Sequence, residues 1–259
     1  DRFAEGYGMN AEAVRKLLDR GTKVIVTVDC GTNSVEEAKV AKELGLDLII
    51  TDHHELTGEL PAALAVINPK NPNDAYPFPF ITGVGVAFKL VQALMTGKRQ
   101  EGGGRSMEGW EKWLLDLVAI GTVADLQSLT GENRILVSFG LKVLQKTRRA
   151  GLRALLELAG ARQPYDAFTL GFVLAPRINA AGRLAHASAA FELLVAQDPG
   201  KARELAYELD ELNKRRQFLT DQILSEAKAQ VEMIVDRKVL LVAGADWPKG
   251  VVGLVAGKL

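Results

Sequence analysis

Two short polar stretches near the start of the chain carry residue types that bind metals. Asp52, His53 and His54 directly follow one apolar run, and Asp29 follows another. The chain has only 3 histidines, so two adjacent ones after a carboxylate are a concentrated signal. Carboxylate and imidazole together are the ligand set of divalent metals such as Mn²⁺ or Zn²⁺. A polar turn with ordinary histidines is the alternative interpretation.

A further carboxylate, Asp125, is the best additional candidate for a metal ligand. Beyond Asp116, which lies near the helix start, it is the lone acid in a helical segment that is otherwise apolar from Leu114, and a lone charge on a buried helix needs a partner. A helix-terminal aspartate that makes a cap or a salt bridge is the alternative. Asp116 is a weaker competitor, because acids are favoured near the start of any helix.

The members of the Asp-His-His run have different expected roles. His53 is a candidate direct ligand, whereas His54 points the other way in an extended chain and could meet a substrate phosphate or leaving group. Asp52 could orient a histidine without binding metal itself. Two divalent ions about 4 Å apart would suit phosphodiester hydrolysis, because they polarise phosphoryl oxygens, acidify water and stabilise the leaving oxygen.

Arginines characterise a second stretch, residues 176–183. Arg177 and Arg183 enclose Asn179, a glycine and two alanines. Arginine binds phosphate through two parallel hydrogen bonds and keeps its charge, and small residues allow close approach of backbone to an anion. We interpret the stretch as a tight polar turn that contacts phosphate; a connecting turn with solvated arginines is the alternative. His186, just beyond, is more typical of hydrogen-bonded structure than of a metal ligand.

Charge is unevenly distributed along a chain of zero net charge. Residues 1–75 carry 13 acidic and 8 basic side chains, whereas residues 140–183 carry 8 basic and 2 acidic ones. An acidic part that could hold cations therefore precedes a basic part that could follow a nucleic-acid backbone. Chance clustering on solvated helix faces would give the same pattern.

Cysteine content and hydropathy indicate where the protein works. The single Cys30 excludes an internal disulfide and fits a reducing cytosol; we interpret it as a small buried residue, not a nucleophile. No signal peptide is visible, and no apolar stretch approaches the roughly 20 residues that span a bilayer. We therefore expect a cytoplasmic protein without a membrane partner.

The elements that must position these residues begin with alternating strands and helices, which predicts an α/β fold. Strand–helix–strand order indicates a parallel sheet flanked by helices, and such sheets place ligand sites at the carboxyl ends of their strands. The expected early elements are helices at 11–20 and 35–44 and strands at 23–28, 47–51 and 64–67.

The rest of the chain is predicted to be mainly helical. A proline-rich loop at 69–79 and a glycine-rich insertion at 97–109 flank one helix, and helices continue to about 195. Residues 201–236 contain neither proline nor glycine and predict one long helix. We interpret it as a rigid connector rather than a coiled-coil arm, because a strand at 238–243 and a helix at 251–259 would begin a second α/β domain.

Taken in order, the motifs resemble those of the DHH phosphoesterases, and the resemblance runs from end to end. The arginine-rich run narrows it to the RecJ family of single-stranded-DNA exonucleases. The segments that carry the resemblance are Val28-Asp29-Cys30-Gly31, Thr51-Asp52-His53-His54, Gly83-Val84-Gly85, Thr122-Val123-Ala124-Asp125 and Arg177-Ile178-Asn179-Ala180-Ala181-Gly182-Arg183.

The resemblance implies roles for the candidate residues. It implies that Asp29, His53 and Asp125 are metal ligands and that Asp52 and His54 belong to the same catalytic cluster. The cofactor it implies is Mn²⁺ or Mg²⁺, with a two-metal site in the full-length protein.

The resemblance also implies a substrate and partners. Asn179 and Arg183 are implied as contacts to substrate phosphate, with Arg177 beside them. The implied activity is 5′→3′ exonucleolytic hydrolysis of single-stranded DNA in recombination and repair, with a single-strand-binding protein and a helicase as partners. The alternatives are a phosphodiesterase for short oligonucleotides or cyclic dinucleotides, and a non-catalytic replication scaffold.

The family pattern differs from this sequence at both ends. Nothing upstream of Asp29 fits the family's earlier Asp-x-Asp motif, and most of the DHH-associated domain is missing. We expect residues 1–197 to be an incomplete DHH domain, 198–236 a connecting helix and 237–259 the start of the DHH-associated domain. A fragment of this kind should bind metal weakly and be nearly inactive by itself.

Overall fold

The computed structural model describes residue 6 and residues 8–100, 109–234 and 238–259, with only the backbone described at 97–100. It is an α/β structure with a small sheet and many helices, as the sequence predicts. None of the described helices combines the length and apolarity that a membrane span requires. The elements are α1 (Ala11–Asp19), β1 (Val24–Val28), α2 (Val35–Glu43), β2 (Asp47–Thr51), β3 (Ala65–Ile67), α3 (Gly83–Gln100), a 3₁₀ helix (Trp110–Leu114), α4 (Leu115–Ala124), α5 (Gly131–Leu144), α6 (Ala150–Leu158), a π-helix (Thr169–Leu174), α7 (Ala175–Leu184), α8 (Ser188–Val195), α9 (Pro199–Glu232) and α10 (Lys249–Ala256).

Packing divides the chain into two compact units. The described residues of the sheet unit fall within Glu5–Thr147 and Pro164–Leu170, and those of the helical unit within Arg148–Gln163 and Gly171–Leu259. The domain boundaries expected from the family resemblance, at 197/198 and 236/237, stay predictions.

The sheet consists of three parallel strands in the order β1-β2-β3. Val28 of β1 lies opposite Thr51 of β2, and Thr51 lies opposite Ile67 of β3. All three strands therefore end at one edge of the sheet. This confirms the predicted parallel arrangement and places Asp29 beside Asp52.

One core cluster joins β2 to α1 and α2. Leu48 and Ile50 of β2 are buried against Val14 of α1 and against Ala38 and Ala41 of α2. Burial of a leucine or isoleucine side chain contributes about 1.5–3 kcal/mol to stability. This cluster holds β2, and with it the Asp-His-His run at its end, in a fixed position.

Strand β1 is less well covered than β2. It stands first in the strand order, and within the described part of the chain no strand pairs with its outer edge. The side chains of Val24, Val26 and Val28, which alternate along the strand and so share one face, are each about half exposed.

Helix α4 carries Asp125 at its C-terminal end. It packs against α3 and α5, and most of its residues are buried. The helical structure expected after the glycine-rich insertion is thus present here, although it begins as a 3₁₀ turn. The glycine-rich insertion was expected to start at 97, but α3 continues to Gln100; residues 101–108 lie outside the described residues.

Helix α9 is the central element of the helical unit, since α6, α7, α8 and α10 all pack against it. Asp198 caps its N-terminus, where the carboxylate accepts a hydrogen bond of 2.6 Å from the Lys201 N–H. Pro199 follows in the first turn, where proline is tolerated. The predicted long helix is therefore confirmed, with bounds of Pro199–Glu232.

The strand predicted at 238–243 is not formed. Val239 and Leu241 are 81% and 86% exposed, and a strand needs a neighbour for its backbone groups, which the described residues of the helical unit do not offer. Instead, the Gln230 amide donates to the Ala243 carbonyl (2.8 Å) and accepts from the Ala243 N–H (3.1 Å). The helix expected at 251–259 is present as α10.

Candidate active site

The first component of the site is an abrupt end to strand β1. The Asp29 N–H still donates to the Thr51 carbonyl (2.9 Å), but Asp29 then adopts a left-handed conformation with φ of 63°. Such conformations are costly for residues other than glycine and concentrate at functional sites. A hydrogen bond of 2.7 Å from the Thr27 hydroxyl to the Cys30 carbonyl closes the turn. Burial raises the pKa of the Cys30 thiol, which supports its interpretation as a non-nucleophile.

Asp52 is a hydrogen-bond acceptor at the centre of the site. The residue is 1% exposed, and its carboxylate accepts from the backbone N–H groups of Thr32 (2.9 Å), His53 (2.8 Å) and His54 (3.3 Å). Burial works to raise its pKa, but these bonds and the one from the His54 ring outweigh burial and lower the pKa to about 2. Asp52 is therefore ionised, with both oxygens already in use.

The His54 ring is oriented by Asp52. Its Nδ1 lies 2.7 Å from Asp52 Oδ1, and because that carboxylate is ionised, Nδ1 must carry the hydrogen. The His54 side chain is 58% exposed, so its Nε2 is left for another contact. This geometry supports the expectation that Asp52 orients a histidine.

His53 lies between two carboxylates. Its Nε2 is 3.0 Å from Asp29 Oδ1 and 3.7 Å from Asp125 Oδ2. Both ring nitrogens are buried, yet neither makes a correctly aligned hydrogen bond with the described residues. An unsatisfied buried polar atom costs about 1–3 kcal/mol. The three residues predicted as metal ligands thus converge at His53, whose ring nitrogens make no aligned hydrogen bond with the described residues.

The donor set around His53 fits a divalent cation. Asp29, His53 and His54 each offer a ligand atom, and these atoms all lie within 4.8 Å of one another. The Asp29 carboxylate beside Nε2 raises the pKa of His53, with a further contribution from Asp125, against the opposing effect of burial. An imidazole must be neutral to bind metal, so protons and a cation would compete for His53.

One residue that supports the site, Asn68, was not identified from the sequence. Asn68 follows β3, and its amide donates to the Thr32 hydroxyl (2.8 Å) and to the His54 carbonyl (2.9 Å). It is fully buried and fixes the backbone of the Asp-His-His run. Asn68 ends an apolar run just as Asp29 and Asp52 do, and that repeated position was the signal that could have found it.

Asp116, the weaker candidate for a metal ligand, is buried and makes hydrogen bonds within the protein. It is 1% exposed, and its carboxylate accepts a hydrogen bond of 2.8 Å from the Thr147 hydroxyl beyond the end of α5. Its other oxygen accepts from the Leu117 N–H (2.8 Å). These contacts tie the start of α4 to the segment that follows α5.

We therefore expect Asp116→Ala to destabilise the protein without weakening metal binding. Loss of the acceptor leaves the Thr147 hydroxyl buried without this partner, which should lower the free energy of unfolding by about 1–3 kcal/mol. Urea unfolding followed by circular dichroism measures this, and calorimetric titration with Mn²⁺ measures affinity. The exposed Asp19→Ala is the control, with a change below about 0.5 kcal/mol; weaker Mn²⁺ binding in Asp116→Ala alone would contradict the structural assignment.

The arginine-rich stretch belongs to the helical unit, and its predicted turn is wrong. Residues 175–184 form helix α7, because Pro176 is favoured in the first turn of a helix and the following alanines have high helix propensity. Asn179 and Arg183 are four residues apart and so share a face of the helix. Asn179 is exposed, and Arg183 Nη1 donates to the Gly250 carbonyl (3.1 Å).

Arg177 makes contacts within the helical unit. Its Nε donates to Asp210 Oδ1 of α9 (2.8 Å), and its Nη1 donates to the Val173 carbonyl (2.8 Å). Asp210 also pairs with Lys214 at 3.0 Å. The arginine thereby joins α7 to α9, while the phosphate-binding role expected for Arg177, Asn179 and Arg183 stays a prediction.

Comparison with known proteins gives consistent similarities. Residues 2–122 match the DHH family, N-terminal domain. The whole chain is 48% identical to the single-stranded-DNA-specific exonuclease RecJ of Bacillus subtilis (strain 168) and 40% identical to that of Escherichia coli (strain K12). It spans 32% and 47% of the lengths of these curated relatives.

Solved structures agree with the sequence comparison. A crystal structure of exonuclease RecJ bound to manganese matches with a TM-score of 0.85 at 35% identity, over 99% of this chain and 63% of that one. RecJ from Thermus thermophilus in complex with Mn²⁺ matches with a TM-score of 0.82 at 34% identity, over 96% of this chain and 36% of that one. The chain is therefore similar to the DHH family over residues 2–122 and to the RecJ exonucleases over its whole length.

Proposed function

We propose that the protein containing this chain is a metal-dependent exonuclease that hydrolyses phosphodiester bonds of single-stranded DNA from the 5′ end. The observation that carries the proposal is the buried His53 ring, which lies between Asp29 and Asp125 without a hydrogen-bond partner among the described residues. The similarity to RecJ exonucleases over the whole chain supports the substrate, and the direction of digestion is proposed from the family resemblance of the motifs.

Mn²⁺ or Mg²⁺ is the proposed cofactor, since solved RecJ structures hold these ions. Asp29, His53 and Asp125 would hold one ion, and a two-metal site in the full-length protein is part of the proposal. A divalent cation supplies positive charge that polarises a phosphoryl oxygen and makes water more acidic.

The Asp52–His54 pair has a separate role in this proposal. The carboxylate fixes the ring through Nδ1 and leaves Nε2 to face the scissile phosphate. An N–H at Nε2 would donate a hydrogen bond to a phosphoryl oxygen or a proton to the leaving oxygen. Hydrolysis would then add water across the P–O bond and release a nucleotide with a 5′-phosphate.

Binding of the DNA strand is proposed to involve helix α7. Asn179 and Arg183 on one face of the helix, with Arg177 nearby in sequence, would contact substrate phosphates. A single-strand-binding protein and a helicase are the proposed partners, because each presents single-stranded DNA. The proposed activity in recombination and repair implies a cytoplasmic location, where bacterial DNA is processed.

The experiment that tests this function uses the full-length protein, Mn²⁺ and matched oligonucleotides. We expect single strands labelled at the 5′ end to release label as mononucleotides from the first turnover, and strands labelled at the 3′ end to shorten progressively. Duplexes of the same sequence should be resistant, and EDTA should stop all release. Initial release from the 3′ end, or internal cuts, would contradict the proposal.

Strand length separates the proposal from its alternatives. A processive exonuclease should degrade long strands at least as efficiently as dinucleotides. Preference for dinucleotides or cyclic dinucleotides would identify a small-substrate phosphodiesterase, and binding of single strands without hydrolysis in Mn²⁺ would identify a scaffold.

A further inference from the structure

We propose that Gly83 is a positioning residue for the cation site, and that its missing side chain makes the space in which the Asp29 carboxylate lies. Gly83 is buried at the first position of α3. A β-carbon placed on it would lie 2.2 Å from Asp29 Oδ1, 2.6 Å from Cγ and 2.7 Å from Cβ. All three nearest atoms belong to one residue, which is a proposed ligand, so the inference rests on the proposed function.

Rotation of the Asp29 side chain would not remove this conflict. A change in χ1 moves Oδ1 and Cγ, but the position of Cβ is set by the backbone. The Asp29 backbone is already in a left-handed conformation, with φ of 63°, which restricts further adjustment. A methyl group at position 83 must therefore displace the carboxylate together with its backbone, or displace the start of α3.

The start of α3 is held in place from the other side. The Thr82 hydroxyl lies 3.1 Å from the Thr122 hydroxyl of α4 and accepts from the Gly85 N–H at 3.3 Å. The Thr82 carbonyl accepts from the Val86 N–H at 2.9 Å. Because this anchor reaches the helix that ends at Asp125, a shift of α3 would also disturb the second carboxylate near His53.

The expected result of Gly83→Ala is a selective loss of metal binding. A displacement of one ligand should weaken Mn²⁺ affinity by about 10–100-fold, as loss of a supporting contact does at other metal sites. Isothermal calorimetry and the electron paramagnetic resonance signal of free Mn²⁺ measure affinity in the full-length protein without reference to nuclease activity. Gly58→Ala is the matched control, because a β-carbon there meets nothing within 4 Å, and its Mn²⁺ affinity should be unchanged.

The same substitution in a protein that already carries Asp29→Gly distinguishes a role in positioning Asp29 from a purely structural requirement for glycine. Asp29→Gly removes all three atoms that the new β-carbon would meet. We therefore expect Gly83→Ala to lower the melting temperature of the metal-free protein in the native background but to cause a much smaller decrease in the Asp29→Gly background. Equal decreases in the two backgrounds, or unchanged Mn²⁺ affinity in Gly83→Ala, would overturn the proposal.

The outcomes also distinguish this inference from the proposed function. If the native protein binds Mn²⁺ and degrades single strands while Gly83→Ala binds Mn²⁺ equally well, only the role of Gly83 is wrong. If the native protein does not bind Mn²⁺ at all, the cation site itself is wrong.

Discussion

Replacement of His53 by alanine should abolish the metal-dependent nuclease activity of the full-length protein. Its Nε2 is the atom that lies near both Asp29 and Asp125, so its loss removes the group around which the proposed ligands converge. Loss of a residue that only supports a metal ligand lowers metal affinity or activity by about 10–100-fold. His53 is itself a proposed ligand, so we expect its loss to lower activity by more than about 100-fold. Initial rates of mononucleotide release in saturating Mn²⁺ measure the effect.

The stability of the metal-free protein should respond to His53→Ala much less than the activity does. In metal-free protein the change removes two buried nitrogens that make no aligned hydrogen bond with the described residues, which offsets part of the lost packing. Mn²⁺ should raise the melting temperature of the native protein, because a ligand that binds only the folded state stabilises it, and this increase should vanish in the variant. His186→Ala is the control, since that ring is exposed and bonds to the neighbouring Ser188. Full nuclease activity in His53→Ala would refute the proposed metal site.

Replacement of Asp52 by asparagine should reduce both stability and activity. The asparagine amide has one oxygen that accepts hydrogen bonds and one NH₂ group that donates them. Either the Thr32 N–H or the His54 Nδ1–H would therefore face a donor in place of an acceptor. We expect a loss of about 2–3 kcal/mol in the free energy of unfolding. By analogy with Asp–His pairs in other hydrolases, we expect kcat to fall by about 10³–10⁴-fold. Asp47→Asn, at the exposed opposite end of β2, should change neither quantity.

Acid titration provides a further signature of Asp52. Its pKa is lowered from 3.8 to about 2, so its stabilising contribution is fully present above the unfolded-state value near pH 4 and is lost as pH falls towards 2. A shift of this size corresponds to about 2 kcal/mol. The metal-free native protein should lose this amount between pH 4 and pH 2, while Asp52→Asn should not. Parallel unfolding curves for both proteins across that range would show that Asp52 is not the ionised acceptor described above.

The sheet and the cluster at its edge could be predicted because the sequence signals there are local. Apolar runs identified β1 and β2, and the polar residue after each run identified Asp29 and Asp52 as neighbours. Because the strands pair in parallel, residues that follow the ends of neighbouring strands lie close together in space. Local pattern alone does not place Asp125 beside Asp29, because its position depends on the packing of α4 against α3 and not on strand register.

The features that sequence missed depend on tertiary contacts. Residues 176–183 contain polar and small residues typical of a turn, but Pro176 and the alanines are equally compatible with the first turns of a helix. Residues 238–243 have strand propensity, yet they form no strand because the described residues provide no neighbour. The space beside Gly83 that holds the Asp29 carboxylate could not be recognised either, since the absence of a side chain does not indicate which atom occupies the space.

The half-exposed valines of β1 have a practical consequence for handling the chain. A strand edge with unpaired backbone groups and β-branched apolar side chains is a template for intermolecular strand addition. Concentrated solutions of these 259 residues should therefore be prone to aggregation that starts at this edge. Light scattering would then increase with protein concentration well below the temperature at which the helices melt.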